Sequence, residues 1–161
     1  MTENSPNIIL MFRSHERMLA VPLENVIEVV PAFELLRTPG LAATLAGVIS
    51  LRGDVLPVID TAVLIGKSVT VLKPNHKFII VRSSSQSLAL LVDTVEELVE
   101  IGTGNPMDPM HDSGPLWFKG IVPVEEEMVL ILDLDACYGS GALVMPAELN
   151  AAFTTLEGQL S

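Results

Sequence analysis

Few side chains in this chain are spaced to do chemistry. Met107, Met110 and His111 fall within five residues of one another. Thioether and imidazole suit soft ions such as copper, so a metal carrier is one reading; incidental placement in a Pro-rich loop is the other. Cys137 is the sole cysteine and cannot form an internal disulfide. It lies in an apolar run without an adjacent base, so it reads as core and not as a nucleophile. Two Asp-Thr pairs, Asp60-Thr61 and Asp93-Thr94, could bring carboxylates together to share a proton, as acid hydrolysis requires. Ala62 and Val95 follow them where tight loops of that kind need glycine. Asp60 and Asp133 read instead as strand ends that bond backbone amides, and Asp93 as a helix N-cap. His15 and His76 stand apart from other candidate ligands, and no phosphate-binding glycine loop or His-Glu-x-x-His motif occurs. The pattern predicts a binding module with no catalytic residue, metal or cofactor.

Composition narrows the partners. The 161 residues are 49% hydrophobic but only 4% aromatic, which calls for an aliphatic core. Nine basic residues against twenty acidic leave a net charge of −11. Nucleic acid is disfavoured, because phosphate neutralisation needs clustered Lys and Arg, and so are anionic membrane surfaces. Residues 1–82 hold eight basic and seven acidic side chains, whereas 83–161 hold one basic, Lys119, and thirteen acidic. That asymmetry serves solubility or the steering of a partner; composition does not choose between them. No apolar run approaches the roughly 20 residues of a membrane span. The N-terminus has no positively charged stretch before its short apolar run and no small-residue cleavage site after it, so no secretory signal is evident and a cytoplasmic protein is expected.

The elements that would position these residues are short. Ile8–Phe12, Phe78–Arg82, Leu88–Val92 and Val129–Leu132 read as strands, with turns at Ser83–Ser87, Gly53-Asp54 and Glu125–Glu127. Pro22–Val30 reads as a short helix with an apolar stripe of Val26, Val29 and Val30, and Asp93–Glu100 as its counterpart. Residues 102–115 read as an irregular loop. A C-terminal helix is expected over about 146–160, with Leu149, Phe153, Leu156 and Leu160 at helical spacing.

A repeat runs through the chain. Displaced by 69 residues, 8–30 lies on 77–99, so that Arg13 meets Arg82, Val26 meets Val95 and Glu28 meets Glu97. Displaced by 73, 47–66 lies on 120–139, matching Gly47 to Gly120, Asp60 to Asp133 and Gly66 to Gly139. Two subdomains of similar build follow, about 14–73 and about 77–145, with the strand 8–12 shared.

The stretch Leu45-Ala46-Gly47-Val48-Ile49-Ser50-Leu51-Arg52-Gly53-Asp54-Val55-Leu56-Pro57-Val58-Ile59-Asp60 resembles the signature of the CheW-like family. That signature runs Gly, two apolar residues, Asn-Leu-Arg-Gly, any residue, two apolar residues, Pro, two apolar residues and Asp-Leu. Val21–Val29, Leu90–Val95 and Gly120–Leu134 are similar to its flanks, so the resemblance covers about residues 8–139. Ser50, Thr61 and Val30 depart from the usual Asn, Leu and basic residue. The resemblance implies a mainly β fold of two SH3-like five-stranded β-barrels around a shared apolar core. It also implies a non-catalytic adaptor that couples methyl-accepting chemoreceptors to the regulatory domain of a CheA-type histidine kinase, in cytoplasmic arrays at the membrane. Receptor-binding residues carried over by position are Val26, Glu28, Ser50, Leu51, Arg52 and Gly53; kinase contacts stay unassigned. For Arg52, bracing of its own turn and direct receptor contact both stand. The same module wired to pilus motility or gene expression is the alternative, and a small Asp-dependent hydrolase a remoter one.

Overall fold

The structure is a computed structural model that describes residues 7–37, 45–101 and 118–139. Ten strands dominate these residues: β1 (Asn7–Ser14), β2 (Arg17–Pro22), β3 (Val26–Pro31), β4 (Leu45–Leu51), β5 (Asp54–Asp60), β6 (Lys77–Arg82), β7 (Ser87–Val92), β8 (Thr94–Ile101), β9 (Phe118–Val124) and β10 (Glu127–Leu132). Two short helices, α1 (Thr61–Leu64) and α2 (Leu134–Gly139), follow β5 and β10. The irregular loop expected at 102–115 and the helix expected at 146–160 lie outside the described residues.

The strands form two five-stranded sheets, ordered β8-β1-β2-β10-β9 and β3-β6-β7-β5-β4. The first unites the two ends of the described chain and is called here the terminal barrel; the second is the central barrel. Under the repeat, β1 to β5 correspond to β6 to β10. The two sheet orders then become identical, with the hairpins β1–β2 and β6–β7 exchanged between the halves. Each half lends its first two strands to the other: β6 and β7 pair with β3 and β5, and β1 and β2 with β8 and β10. The expected spans of about 14–73 and 77–145 are therefore not the spans of the sheets. β2 lies in the terminal barrel, and β6 and β7 in the central one. Sequential halves and spatial halves differ because the exchanged strands complete each other's ladders.

This exchange explains why the strand runs are continuously apolar and not alternating. In β1, Ile9 and Met11 fill the terminal barrel, while Leu10 and Phe12 turn to a core shared by both barrels. In β6, Phe78 and Ile80 fill the central barrel, while Ile79 and Val81 face the shared core. Both faces are buried, so both must be apolar. Phe12 and Phe78 are fully enclosed, and truncation of either to Ala would cost about 3–5 kcal/mol.

The two expected helices are strands. Only Leu23–Asn25 makes a single 3-10 turn; Val26–Pro31 is β3 and Thr94–Ile101 is β8. Val26, Ile27, Val29 and Val30 are β-branched, stiff at χ1 and better suited to a pleated edge than to a helix. Asp93 accordingly caps no helix. Its Oδ2 accepts from the His15 backbone N–H at 2.9 Å, its own N–H donates to the Arg13 carbonyl at 2.9 Å, and its Oδ1 lies 3.4 Å from Nε2 of buried His76. It joins the barrels.

Other polar contacts cross the same joint. Thr61 Oγ1 lies 2.9 Å from Ser14 Oγ and donates to the Leu91 carbonyl at 2.6 Å. Asn25 Nδ2 donates to the Arg82 carbonyl, and the Ser84 N–H and hydroxyl both donate to Asp135 Oδ1. The Ser84 bonds hold the Asp135 carboxyl below its ordinary range. Asp60 and Asp133 end their strands as expected: Asp60 Oδ1 accepts from the Ala62 N–H and Asp133 Oδ1 from the Ala136 N–H.

Candidate functional site

The six candidate residues fall on two elements that the sheet order puts at opposite ends of one sheet. Val26 and Glu28 lie on β3; Ser50 and Leu51 end β4, and Arg52-Gly53 form the turn into β5. Rolling the sheet into a barrel brings those ends together. The seam is closed past β3, where the Leu36 N–H donates to the Val48 carbonyl at 2.9 Å and the Val48 N–H to the Leu36 carbonyl at 3.0 Å. Gly47 makes this approach possible, because a Cβ there would sit 2.1 Å from the Leu36 carbonyl oxygen.

Arg52 and Gly53 have φ of 51° and 86°. Positive φ at both central residues of a two-residue hairpin is the type I′ pattern, which matches the twist of the flanking strands. Glycine adopts it freely; arginine does so at a cost. The turn projects the Arg52 side chain across the seam, where its Nη1 donates to Glu28 Oε2 and forms an ion pair. The hydrogen bond and charge of Glu28 raise the guanidinium's pKa above its ordinary value. Arg52 remains 65% exposed and Glu28 30%, so the pair is open to a partner.

A β-bulge re-aims the other side of the site. The β3–β6 register shifts between Val26, opposite Val81, and Glu28, opposite Ile80. Bulges of this kind redirect side chains at sheet edges. Val26 packs against the shared core and Leu51 against the central one, while Ile27 and Val29 stand exposed. Gly53 has open space where a Cβ would be. Strand alternation turns Ile27 and Val29 outward, on the face away from Glu28 and its half-buried neighbours Val26 and Val30, where a helical stripe places Val29 in the interior. Arg52 braces β3 through a side chain, not its own turn through carbonyls.

The alternative chemistries have little to work with. Asp60 is fully buried, and its carboxylate accepts from the Ala62 N–H, the Thr70 N–H at 2.8 Å and the Thr70 hydroxyl at 2.7 Å. It is a bracket for the chain after α1. Cys137 is buried, and burial with the nearby Asp133 charge pushes its thiol up to about 12, far from a reactive thiolate. Among the described residues no three His, Cys, Asp or Glu side chains gather as a metal site. Met107, Met110 and His111 lie outside the described residues. Among the described residues, too, no helix is long and apolar enough to cross a membrane.

The geometry can be set beside known proteins. A chemotaxis protein CheW from Rhizobium meliloti is 25% identical over 140 residues, covering 85% of this chain and 90% of that protein. One from Thermotoga maritima is 29% identical over 129 residues, covering 79% and 84%. Protein FrzA from Myxococcus xanthus is 32% identical over 98 residues, 61% of each chain. The crystal structure of the scaffolding protein TtCheW from Thermoanaerobacter tengcongensis superposes with a TM-score of 0.71 at 26% identity, over 80% of this chain and 89% of that one. The family model described as the CheW-like domain matches residues 9–140, most of the chain, and the protein belongs to that family.

Proposed function

We propose that this protein is a non-catalytic chemosensory adaptor, one that links methyl-accepting chemoreceptors to the regulatory domain of a CheA-type histidine kinase. The observation that carries the receptor half of this reading is the exposed Arg52–Glu28 ion pair. A guanidinium already anchored on one carboxylate keeps further N–H donors for carboxylates or carbonyls on a partner helix, and half-buried Val26 and Leu51 supply dry contact. Val26, Ser50, Leu51 and Gly53 shape the strand edge and turn that hold this pair. Its place is the cytoplasmic face of receptor arrays.

Titration calorimetry of the purified chain against the regulatory domain of each CheA-type kinase in its own cell tests this. Binding of one domain at micromolar or tighter affinity supports the role and names the pathway; a folded chain that binds none refutes it. The match to FrzA, a relative that does not carry the CheW name, supports a second reading in which the same module serves a different output. Deletion of the gene separates the two: loss of directed swimming marks the first, and loss of surface movement or of a transcriptional response the second.

A further inference from the structure

The terminal barrel has a cavity of about 350 Å³ at the end where β1 begins and β2, β8 and β10 finish. Buried Ile9, Ile101 and Ile131 line it, with Pro22, Leu23 and Lys119 nearer the surface. The repeat locates the equivalent place in the central barrel. Displaced by 69 residues, Asn7, Ile9 and Ile101 of the cavity correspond to His76, Phe78 and Ala32; displaced by 73, Lys119 and Ile131 correspond to Ala46 and Val58. There the chain itself supplies the filling. Phe33 stands edge-on to Phe78 with ring centroids 5.2 Å apart, Leu35 is buried in the same cluster, and Leu72 packs against it. The chain that leaves α1 is fastened at this place: the Lys73 N–H donates to His76 Nδ1 and the His76 N–H to the Lys73 carbonyl, each at 3.0 Å.

Carried to the second half, the same displacements explain why the cavity is there and what fits it. Phe33 and Leu35 correspond to Gly102 and Gly104, which have no side chain to fill it. Leu72 corresponds to Met145, whose unbranched thioether suits an irregular apolar space. Met145 lies six residues beyond Gly139, where α2 ends, a span of at most about 20 Å. That helix sits at the right end of the barrel: its Leu134 and Cys137 pack with Phe118, the neighbour of Lys119. Its start also matches, since Asp60 caps α1 through the Ala62 N–H and Asp133 accepts from the Ala136 N–H. After Met145 the sequence continues with Pro146 and the helical stripe Leu149, Phe153, Leu156 and Leu160, an apolar face that needs a surface to cover.

We infer that the open end of the terminal barrel is a docking site for this protein's own chain after α2, with the Met145 side chain in the cavity, at the place that Leu72 takes in the central barrel, and the stripe from Leu149 to Leu160 laid over the rim. The second half thereby closes its barrel as the first does. A tether of six residues holds the segment at an effective concentration on the order of millimolar, which favours it over a separate protein of the same chemistry. This inference does not rest on the receptor and kinase partners proposed above.

The test is nuclear magnetic resonance on the full chain with its Ile and Met methyl groups labelled. Nuclear Overhauser cross-peaks should join the Met145 methyl to methyls of Ile9 and Ile131. Met145→Asp should abolish them and shift the Ile9 and Ile131 resonances, and amides of 143–145 should exchange about tenfold or more slowly in wild type than in that variant. The wild-type cross-peaks are read without any substitution, so a variant that fails to fold leaves the test intact. Absence of these cross-peaks from folded wild type would overturn the inference. So would cross-peaks to Ile9 and Ile131 from Met107 or Met110 in place of Met145, which would give the cavity to another segment. Cross-peaks found only between differently labelled copies in a mixed sample would assign the occupant to a second molecule, and would overturn it as well.

Discussion

Arg52 and Glu28 stand 24 residues apart in sequence, yet their side chains form an ion pair across the seam of the central barrel. The contact exists because β3 and β4, the two ends of one sheet, are rolled together, with Gly47 admitting the Leu36 carbonyl at the closure. Fold and site therefore share one joint: the closure that completes the barrel also assembles the pair.

The pair itself adds little to stability, since exposed ion pairs are well screened. Arg52→Ala should leave the thermal midpoint essentially unchanged and weaken receptor-tip binding. Glu28→Gln should keep the fold and reduce binding less, because an amide oxygen still accepts from the guanidinium. Surface plasmon resonance against a receptor-tip fragment, with thermal melts in parallel, checks this. Normal receptor affinity in folded Arg52→Ala would remove Arg52 from the site.

The seam is where stability resides. Gly47→Ala places a methyl 2.1 Å from the Leu36 carbonyl oxygen, so backbone must move. Urea unfolding should show a loss of about 2–4 kcal/mol. Gly53→Ala meets no atom within 4 Å but keeps a φ of 86°, and should lose only about 1 kcal/mol.

Much of this architecture is legible in the sequence. The continuous apolar runs of β1, β6, β7 and β10 mark strands because both of their faces are buried, and the displaced self-match pairs β1–β5 with β6–β10. The exchange of β1–β2 with β6–β7 is not legible, because a repeat tells which segments are equivalent and not which half they pair with. β3 and β8 read as helices because the spacing of Val26, Val29 and Val30 fits a helical stripe; β-branching and, in β3, the bulge at Ile27 decide otherwise. The six candidate residues could be placed on two elements. That two of them touch depends on barrel closure, a contact that no local pattern encodes.

Asp60 offers a test of the scaffold reading against the hydrolase. Its carboxylate is fully buried and accepts three hydrogen bonds. Asp60→Ala would orphan the Ala62 and Thr70 donors and should destabilise the chain by about 3 kcal/mol. Thr70→Val, which removes one of those bonds and keeps the volume, should cost about 1–2 kcal/mol by urea unfolding. A variant at Asp60 that loses hydrolytic activity with stability untouched would contradict the bracket assignment.

Cys137 sets an alkaline limit. Its thiol is pushed from the usual 9.0 up to about 12 in the folded chain. The native state therefore holds a proton that the unfolded chain releases above pH 9. The stabilisation is complete below that pH and is lost as the pH rises toward 12, at up to about 1.4 kcal/mol per pH unit from this group. Cys137→Ala should flatten that part of the profile, and a thiol reagent at pH 8 should label wild type only once it unfolds. Rapid labelling of the folded chain would contradict the burial.

The most direct test of the coupling role is kinase autophosphorylation in a reconstituted mixture of receptor-bearing membranes, the CheA-type kinase and ATP, with and without this chain. The expected result is kinase activity that responds to the receptor's ligand only when the chain is present, and a response lost with Arg52→Ala while kinase binding persists. Activity that is equally ligand-sensitive without the chain, or insensitive with it, would contradict the adaptor account.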